Sequence, residues 1–451
     1  MKIVEVFHVA PTSGSELELP SQTSLPLTFF DILWLRLPPV QRIFFYEFPH
    51  PTQLFFHTLL PKLKHSLSLS LSYFFPLAGH LIWPVDSNYP IIDYNTGDTV
   101  SLTVAESDTD FNHLSGTDLF DAKENHHLLP HLTITHEKAT VFALQVTLFP
   151  NTGFSIGITS HHAVLDGKSS TSFIKSWAYL CSKLGESTTY LLLPPELCPF
   201  HEREAVKDPN DLSAKYANDW LKQGGPNNRS LMVWDLQVQE DATYGSFHLS
   251  RSDIEKLRQL VVSKQKGDKK LHLSSLVLSA AYALVCRVKV EELIKLQRIV
   301  MALNVDCRGR LEPPLPSTYF GNCVGARLPI FETRELQGED GLIVAVETLS
   351  AALESLKEGV LNGSENWCTW LINGLDADVK TIGVAGSPRF EVYSIDFGWG
   401  RPKKVAMASI DRTTAFCLSD SRNGDGVEIS FVSKKAAMEA FASLFVNGIQ
   451  Y

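Results

Sequence analysis

At 451 residues, 44% of them hydrophobic and 20% charged, the chain has a globular composition and is too long for one ordinary core. A net charge of −10 with no local basic patch excludes a phosphate backbone as partner. The seven cysteines (181, 198, 286, 307, 323, 368 and 417) are scattered, odd in number and free of any C-x-x-C pair, which excludes a disulfide framework and fits a reducing compartment.

In chain order, the opening MKIVEVFHVAPTSG has Glu5 and His8 inside a broken apolar run and does not read as a signal peptide. No stretch approaches the roughly 18 apolar residues of a membrane span, so the expectation is a cytosolic protein with no membrane partner. Residues 52–75 read as a helix broken or kinked near Pro61. FALQVTLF (142–149) and FSIGITS (154–160) alternate as strands around the turn PNTG and predict a hairpin. From Asp166 to Leu184 the apolar residues Phe173, Trp177, Leu180, Cys181 and Leu184 recur at helical spacing, with Gly185 as a C-terminal stop.

Residues 185–230, rich in proline and charge, read as a crossover between an N-terminal α/β domain (1–184) and a C-terminal α/β domain (231–451). The second half predicts a strand near 245–249, then a helix opened by a capping box at Ser252 and Glu255. A further helix is expected at 274–288, strands around VMALNVDCR and VYSIDFGWG, a hairpin at NGDG (423–426) and a last helix at 433–447. Alternating strands and helices in both halves make the class α/β without setting a sheet order.

Three strings invite chemistry. GFSIG (153–157) matches the G-x-S-x-G nucleophile elbow, but Phe154, Ile156 and Ile158 alternate straight through Ser155, so the serine belongs to a continuing strand. In SHHAVLDG (160–167) a metal reading fails, because adjacent histidines on extended backbone face opposite ways and no other ligands cluster nearby. His162, at a strand end, suits a general base with a near-neutral imidazole. Asp166, at the helix start, suits a cap or an ion pair, and Gly167 permits close packing. The third, Asp396-Phe-Gly, lacks the loops that would make it a kinase magnesium motif.

His162-Ala-Val-Leu-Asp166-Gly resembles the H-x-x-x-D motif of the plant BAHD acyltransferases, and Asp396-Phe-Gly-Trp-Gly400 resembles their D-F-G-W-G element. Tyr319-Phe-Gly-Asn-Cys323 is similar to the signature of the branch that acylates flavonoid glycosides, including anthocyanin malonyltransferases. The flanking strings LPLTFFDILWL (25–35), FFPLAGHL and GSPRFEVYSIDFGWGRPKK agree, so the likeness spans nearly the whole chain.

The resemblance implies a two-domain, chloramphenicol acetyltransferase-like fold with a solvent channel between the domains. It implies an acyl-CoA-dependent O-acyltransferase with no resident cofactor, coenzyme A entering as the thioester co-substrate. The expected acceptor is a flavonoid, anthocyanin or other phenolic glucoside, attacked through a sugar hydroxyl such as the glucose 6-OH, by a monomer. His162 would be the base and Asp166 a structural partner of Arg308, with Arg310 the alternative. Asp396 would be a second catalytic acid or, with Gly398, Trp399 and Gly400, a turn. Ser274 and Ser275 would touch the coenzyme A arm, and Tyr319–Cys323 would border the channel. The donor stays open between malonyl, which is favoured, and hydroxycinnamoyl. Where some malonyltransferases have an arginine this chain has Lys168, Ser169 and Ser170, which makes Lys168 the candidate cation for a donor carboxylate. A condensation-type domain would need neighbouring carrier modules, and a binding protein with dead chemistry would be expected to have lost His162.

Overall fold

Strand-forming residues concentrate in VQRIFFYE, FALQVTLF and GFSIGITS, and these segments lie side by side in the middle of one sheet. The computed structural model describes residues 1–12, 19–185, 191–265, 267, 270–291, 296–374, 379–413 and 415–449. In order across the six-stranded sheet stand Lys2–Val9, Val100–Glu106, Phe142–Phe149, Gly153–Ser160, Val40–Glu47 and Lys404–Met407. The expected hairpin is present, with Gly153 opposite Phe149 and Ser160 opposite Phe142. Asn151 turns its corner at φ 61°. Both hairpin strands are buried along their whole length, which is why they read as near-continuous apolar runs.

The second half builds a larger sheet in the order Val324–Arg327, Arg298–Asp306, Val379–Ala385, Phe416–Asp420, Gly426–Lys434, Ala242–Ser250 and Phe120–Asp121. Two strands cross between the halves: Lys404–Met407 joins the first sheet, and Phe120–Asp121 joins the second. A buried cluster containing Phe45, Phe111, Tyr244, Ala406 and Val432 fills the seam that these exchanges create. A small third sheet, Gln22–Pro26, Ile91–Asn95, His80–Ile82 and Lys138–Thr140, flanks the N-terminal half.

The helix over 52–73 does break before Pro61: Phe55–Leu59 forms a π turn and Leu60–Tyr73 continues as α-helix. Proline has no N–H to donate back along the helix, and the backbone widens just ahead of it. Gly167–Lys183 is an α-helix capped by Asp166, hereafter the motif helix. Its Trp177 is fully buried and donates Nε1–H to Leu63 O and Ser66 Oγ.

Two local expectations shift. The capping box is Ser250 with Asp253, two residues ahead of Ser252 and Glu255, because the strand Ala242–Ser250 runs directly into the helix Arg251–Lys264. VYSIDFGWG is not a strand: Val392–Ser394 is a short 3-10 turn, entered through Glu391 at φ 51° and followed by Gly398 and Gly400 at φ 100° and 102°.

The G-x-S-x-G string is explained by packing. Ser155 sits inside the strand with no exposure, and a Cβ on Gly157 would lie 1.9 Å from the carbonyl oxygen of Leu128. Gly157→Ala must therefore push backbone apart, and should lower unfolding free energy by about 1–3 kcal/mol. Urea denaturation checks this: an unchanged midpoint would mean that the two segments are not held at that spacing.

Candidate active site

The strand Gly153–Ser160 ends where the chain turns toward the motif helix, and that turn divides the two histidines. His161 is fully buried, its Nδ1 accepting from Ala163 N at 3.3 Å, and burial pushes its imidazole down to about 3. His162 is partly buried and keeps access to solvent. Its ring lies flat against the indole of Trp34, centroids 4.4 Å apart and planes within 8°. Burial pushes this imidazole down to about 4, with its own backbone carbonyl and the Asp166 carboxylate acting the other way. An imidazole so placed is neutral at physiological pH, the state a base requires.

Behind the histidine lies a buried ionic lattice. Asp166 Oδ1 caps the motif helix by accepting Ser169 N at 2.8 Å. Its Oδ2 meets Arg308 Nη2 at 2.8 Å and accepts Cys323 N at 3.0 Å. Arg308, 1% exposed, spends its other donors on Asp306 Oδ1, Ser169 Oγ, Tyr319 O and Gly321 O. Arg310 is exposed and its side chain donates to the Asp306 carbonyl, so of the two arginines Arg308 is the partner of Asp166.

A second buried acid continues the lattice. Asp31 has no exposure and accepts from Thr28 N and Oγ1, Arg203 Nη1, and the backbone and side-chain amides of Asn322. Asn322 Nδ2 also donates to the carbonyl of His162 at 3.0 Å. Arg203 reaches the Tyr319 hydroxyl at 2.9 Å. Gly321 lies so close that a Cβ there would fall 2.0 Å from Arg203 Nη1. Tyr319–Cys323 is thus a buried brace between both acids and the histidine loop. Burial drives the Cys323 thiol well above its ordinary value against the pull of Arg308, which removes it as a nucleophile.

Of two further expected site residues, one stands elsewhere and the other is held in the lattice. Asp396 is exposed, and its Oδ1 accepts Gly398 N at 2.7 Å and Gly400 N at 3.0 Å. Phe397 packs edge-on to Trp177, Trp399 packs on Phe154, and Gly398 rests on Ser182. Ser182 is sixteen residues along the motif helix from Asp166, roughly 24 Å at 1.5 Å per residue. Asp396 thus bridges two amides of a turn at the far end of that helix from Asp166. Lys168 is likewise engaged: its Nζ pairs with Asp306 Oδ2 at 2.9 Å. Burial raises the Asp306 carboxyl, but Arg308 and Lys168 outweigh it and hold it below the usual carboxylate range.

Gly167 opens the motif helix against the Phe390 ring. Ser274 caps the helix Ser275–Val290 by accepting Val277 N, and Ser275 is exposed beside it; neither contacts the histidine lattice. Among the described residues no group of three or more His, Cys, Asp or Glu side chains is gathered to hold a metal ion. Trp34, Asp31, Arg203 and Asn322 were missed from the sequence. Trp34, Asp31 and Asn322 fall in the strings LPLTFFDILWL and YFGNC, whose chemistry appears only when the two meet, whereas Arg203 lies 172 residues from Asp31 and carried no signal.

Comparison with known proteins places this geometry. The Transferase family profile matches residues 13–446. Phenolic glucoside malonyltransferase 1 of Arabidopsis thaliana is 38% identical, the alignment covering 100% of this chain and 98% of that protein. Malonyl-CoA:anthocyanidin 5-O-glucoside-6''-O-malonyltransferase of the same plant is 39% identical, with coverage of 100% and 98%. The crystal structure of vinorine synthase superimposes with a TM-score of 0.70 at 21% identity, covering 99% of this chain and 98% of that one. The chain therefore belongs to the transferase family of BAHD acyltransferases, with their two-domain chloramphenicol acetyltransferase-like fold, and is an acyl-CoA-dependent O-acyltransferase.

Proposed function

We propose that the protein transfers a malonyl group from malonyl-CoA to a sugar hydroxyl, the glucose 6-OH, of a flavonoid, anthocyanin or related phenolic glucoside. The observation that carries this reading is end-to-end similarity to malonyltransferases named for those acceptors. His162 is the general base. Its Nδ1 is buried without a partner on another residue, which leaves Nε2 to meet the acceptor. Nε2 takes the hydroxyl proton as the sugar oxygen attacks the thioester carbonyl. The tetrahedral oxyanion collapses with loss of the carbon–sulfur bond, and the leaving thiolate takes the proton back from the imidazolium. No acyl-enzyme forms, and the buried Ser155 and Cys323 have no part in the reaction.

In this reading Asp166 and Arg308 hold the histidine loop and do not touch the reacting atoms. Gly167 and the turn of Asp396, Gly398, Trp399 and Gly400 support the motif helix at its two ends. Ser275, exposed where Ser274 is occupied as a cap, is the hydroxyl we assign to the coenzyme A arm.

The direct test is product mass after incubation with a phenolic glucoside and a mixture of malonyl-, acetyl- and coumaroyl-CoA. A malonyl ester supports the assignment, and a coumaroyl ester as the main product replaces it.

His162→Ala should lower kcat by about 10²–10⁴ in a protein that melts normally. If His161→Ala were the damaging change instead, the base would be its neighbour. Because burial depresses the His162 imidazole to about 4, the neutral base persists well below the ordinary histidine value. kcat/KM should stay level from pH 8 down to about 5 and fall only near 4. An acid limb with its midpoint at about 6.5 or above would contradict that placement.

Asp166→Ala leaves Arg308 buried beside one remaining carboxylate, and should cost about 3–5 kcal/mol of stability. Adding Arg308→Met should recover part of that loss, since the two residues share one interaction. Lost turnover at an unchanged melting temperature would give Asp166 a direct part in the chemistry.

A further inference from the structure

Among the described residues five arginines are less than one-tenth exposed: Arg36, Arg42, Arg203, Arg287 and Arg308. Three of them meet carboxylates: Arg203 with Asp31, Arg287 with Glu291, and Arg308 with Asp166 and Asp306. Arg36 donates to four oxygens on Gln223, Asn228 and Ser230. Arg42, 5% exposed, makes one hydrogen bond, from Nη1 to the Thr171 hydroxyl at 2.9 Å, and pairs with no carboxylate among the described residues. Asp420 is near enough to favour its charge, but that carboxylate is occupied by the Val392 and Tyr393 amides. A buried guanidinium with five donors and one neutral acceptor is costly unless an anion completes it.

Its place in the fold says which anion. Arg42 stands on the strand Val40–Glu47, opposite Ile158 on one side and Met407 on the other. It shares a strand face with Phe44 and Tyr46, the face against which the motif helix packs, and Thr171 lies in that helix's first turns. In the same register Val40 is opposite Ser160 and Arg42 opposite Ile158, four residues or about 13 Å of extended chain before His162, a span that an arginine and a histidine side chain together with a three-carbon acyl group can bridge. The Cys417 thiol, which Arg42 pulls down against the effect of burial, belongs to the larger sheet. Arg42 thus sits at the seam of the two halves, against the first turns of the helix that the histidine loop enters.

We propose that Arg42 is the donor-specificity residue: its guanidinium fork receives the free carboxylate of the malonyl group while the thioester carbonyl is presented to the acceptor oxygen held by His162. This rests on the malonyl reading above. A planar fork matches a carboxylate in two-point contact. Lys168, nearer in sequence, is already matched to Asp306.

The experiment measures kcat/KM for malonyl-CoA and acetyl-CoA on one phenolic glucoside, in the wild type, Arg42→Gln and Arg42→Lys. The malonyl-to-acetyl ratio should fall about tenfold to a hundredfold in Arg42→Gln, the range of a lost charge-assisted bond. Arg42→Lys, which keeps a charge without the fork, should lie between. A ratio unchanged in Arg42→Lys and Arg42→Gln, or equal losses with both donors, overturns the assignment and leaves the malonyl reading standing. If Arg42→Gln does not fold, a wild-type ratio in Arg42→Lys overturns it alone. Wild-type preference for coumaroyl-CoA over malonyl-CoA removes the malonyl reading and this assignment with it.

Discussion

The structure around His162 depends on one buried ion pair, Asp166 with Arg308, at 2.8 Å with neither side chain more than 4% exposed. Two charges taken out of water gain little over an apolar substitute unless every remaining donor and acceptor is met. Here they are met. Asp166 takes two backbone amides in addition to the arginine, and Arg308 reaches a second carboxylate, a hydroxyl and two carbonyls. Such a pair contributes position more than stability, because few other geometries would satisfy the same atoms.

That geometry accounts for the Y-F-G-N-C string residue by residue. Tyr319 lends its hydroxyl to Arg203 and its carbonyl to Arg308. Phe320 packs edge-on to Phe74, and Gly321 leaves room for Arg203. Asn322 links Asp31 to the His162 carbonyl, and Cys323 contributes its amide to Asp166. Arg203, Arg308 and Lys168 face Asp31, Asp166 and Asp306, so the lattice is balanced in charge. An electrically complete lattice has no cation left for a substrate, so a donor carboxylate would have to be met outside it.

The motif helix carries the same logic over a longer distance. One end is capped by Asp166 and the other rests on the D-F-G-W-G turn, whose Phe397 packs on Trp177 and Tyr46. Asp396 holds that turn through the Gly398 and Gly400 amides, at the opposite end of the helix from the histidine loop. Trp34 acts at the opposite extreme of range, covering one face of the imidazole directly. A flat aromatic surface restricts the ring to one plane and lowers its exposure to water, and the loss of water favours the neutral imidazole.

By itself the sequence determined the elements that local physics decides. The alternation of FALQVTLF and FSIGITS, the three-and-four spacing from Phe173 to Leu184 and the break before Pro61 are written in neighbouring residues, and so is the placement of His162 between strand and helix. The cap expected at Ser252 stands at Ser250 because the end of the preceding strand decides it, and that depends on the strand's partner at Gly426. VYSIDFGWG has strand composition, yet positive φ angles at Gly398, Gly400 and the preceding Glu391, with a carboxylate bridging two amides, make it a turn. The tertiary structure alone decided which charges meet. Asp31 and Asn322 are 291 residues apart, Asp166 and Cys323 157, and Arg42 and Thr171 129. Sequence shows that a residue bears charge; whether that charge is matched depends on contacts between distant segments, and so Lys168 is engaged while Arg42 is not.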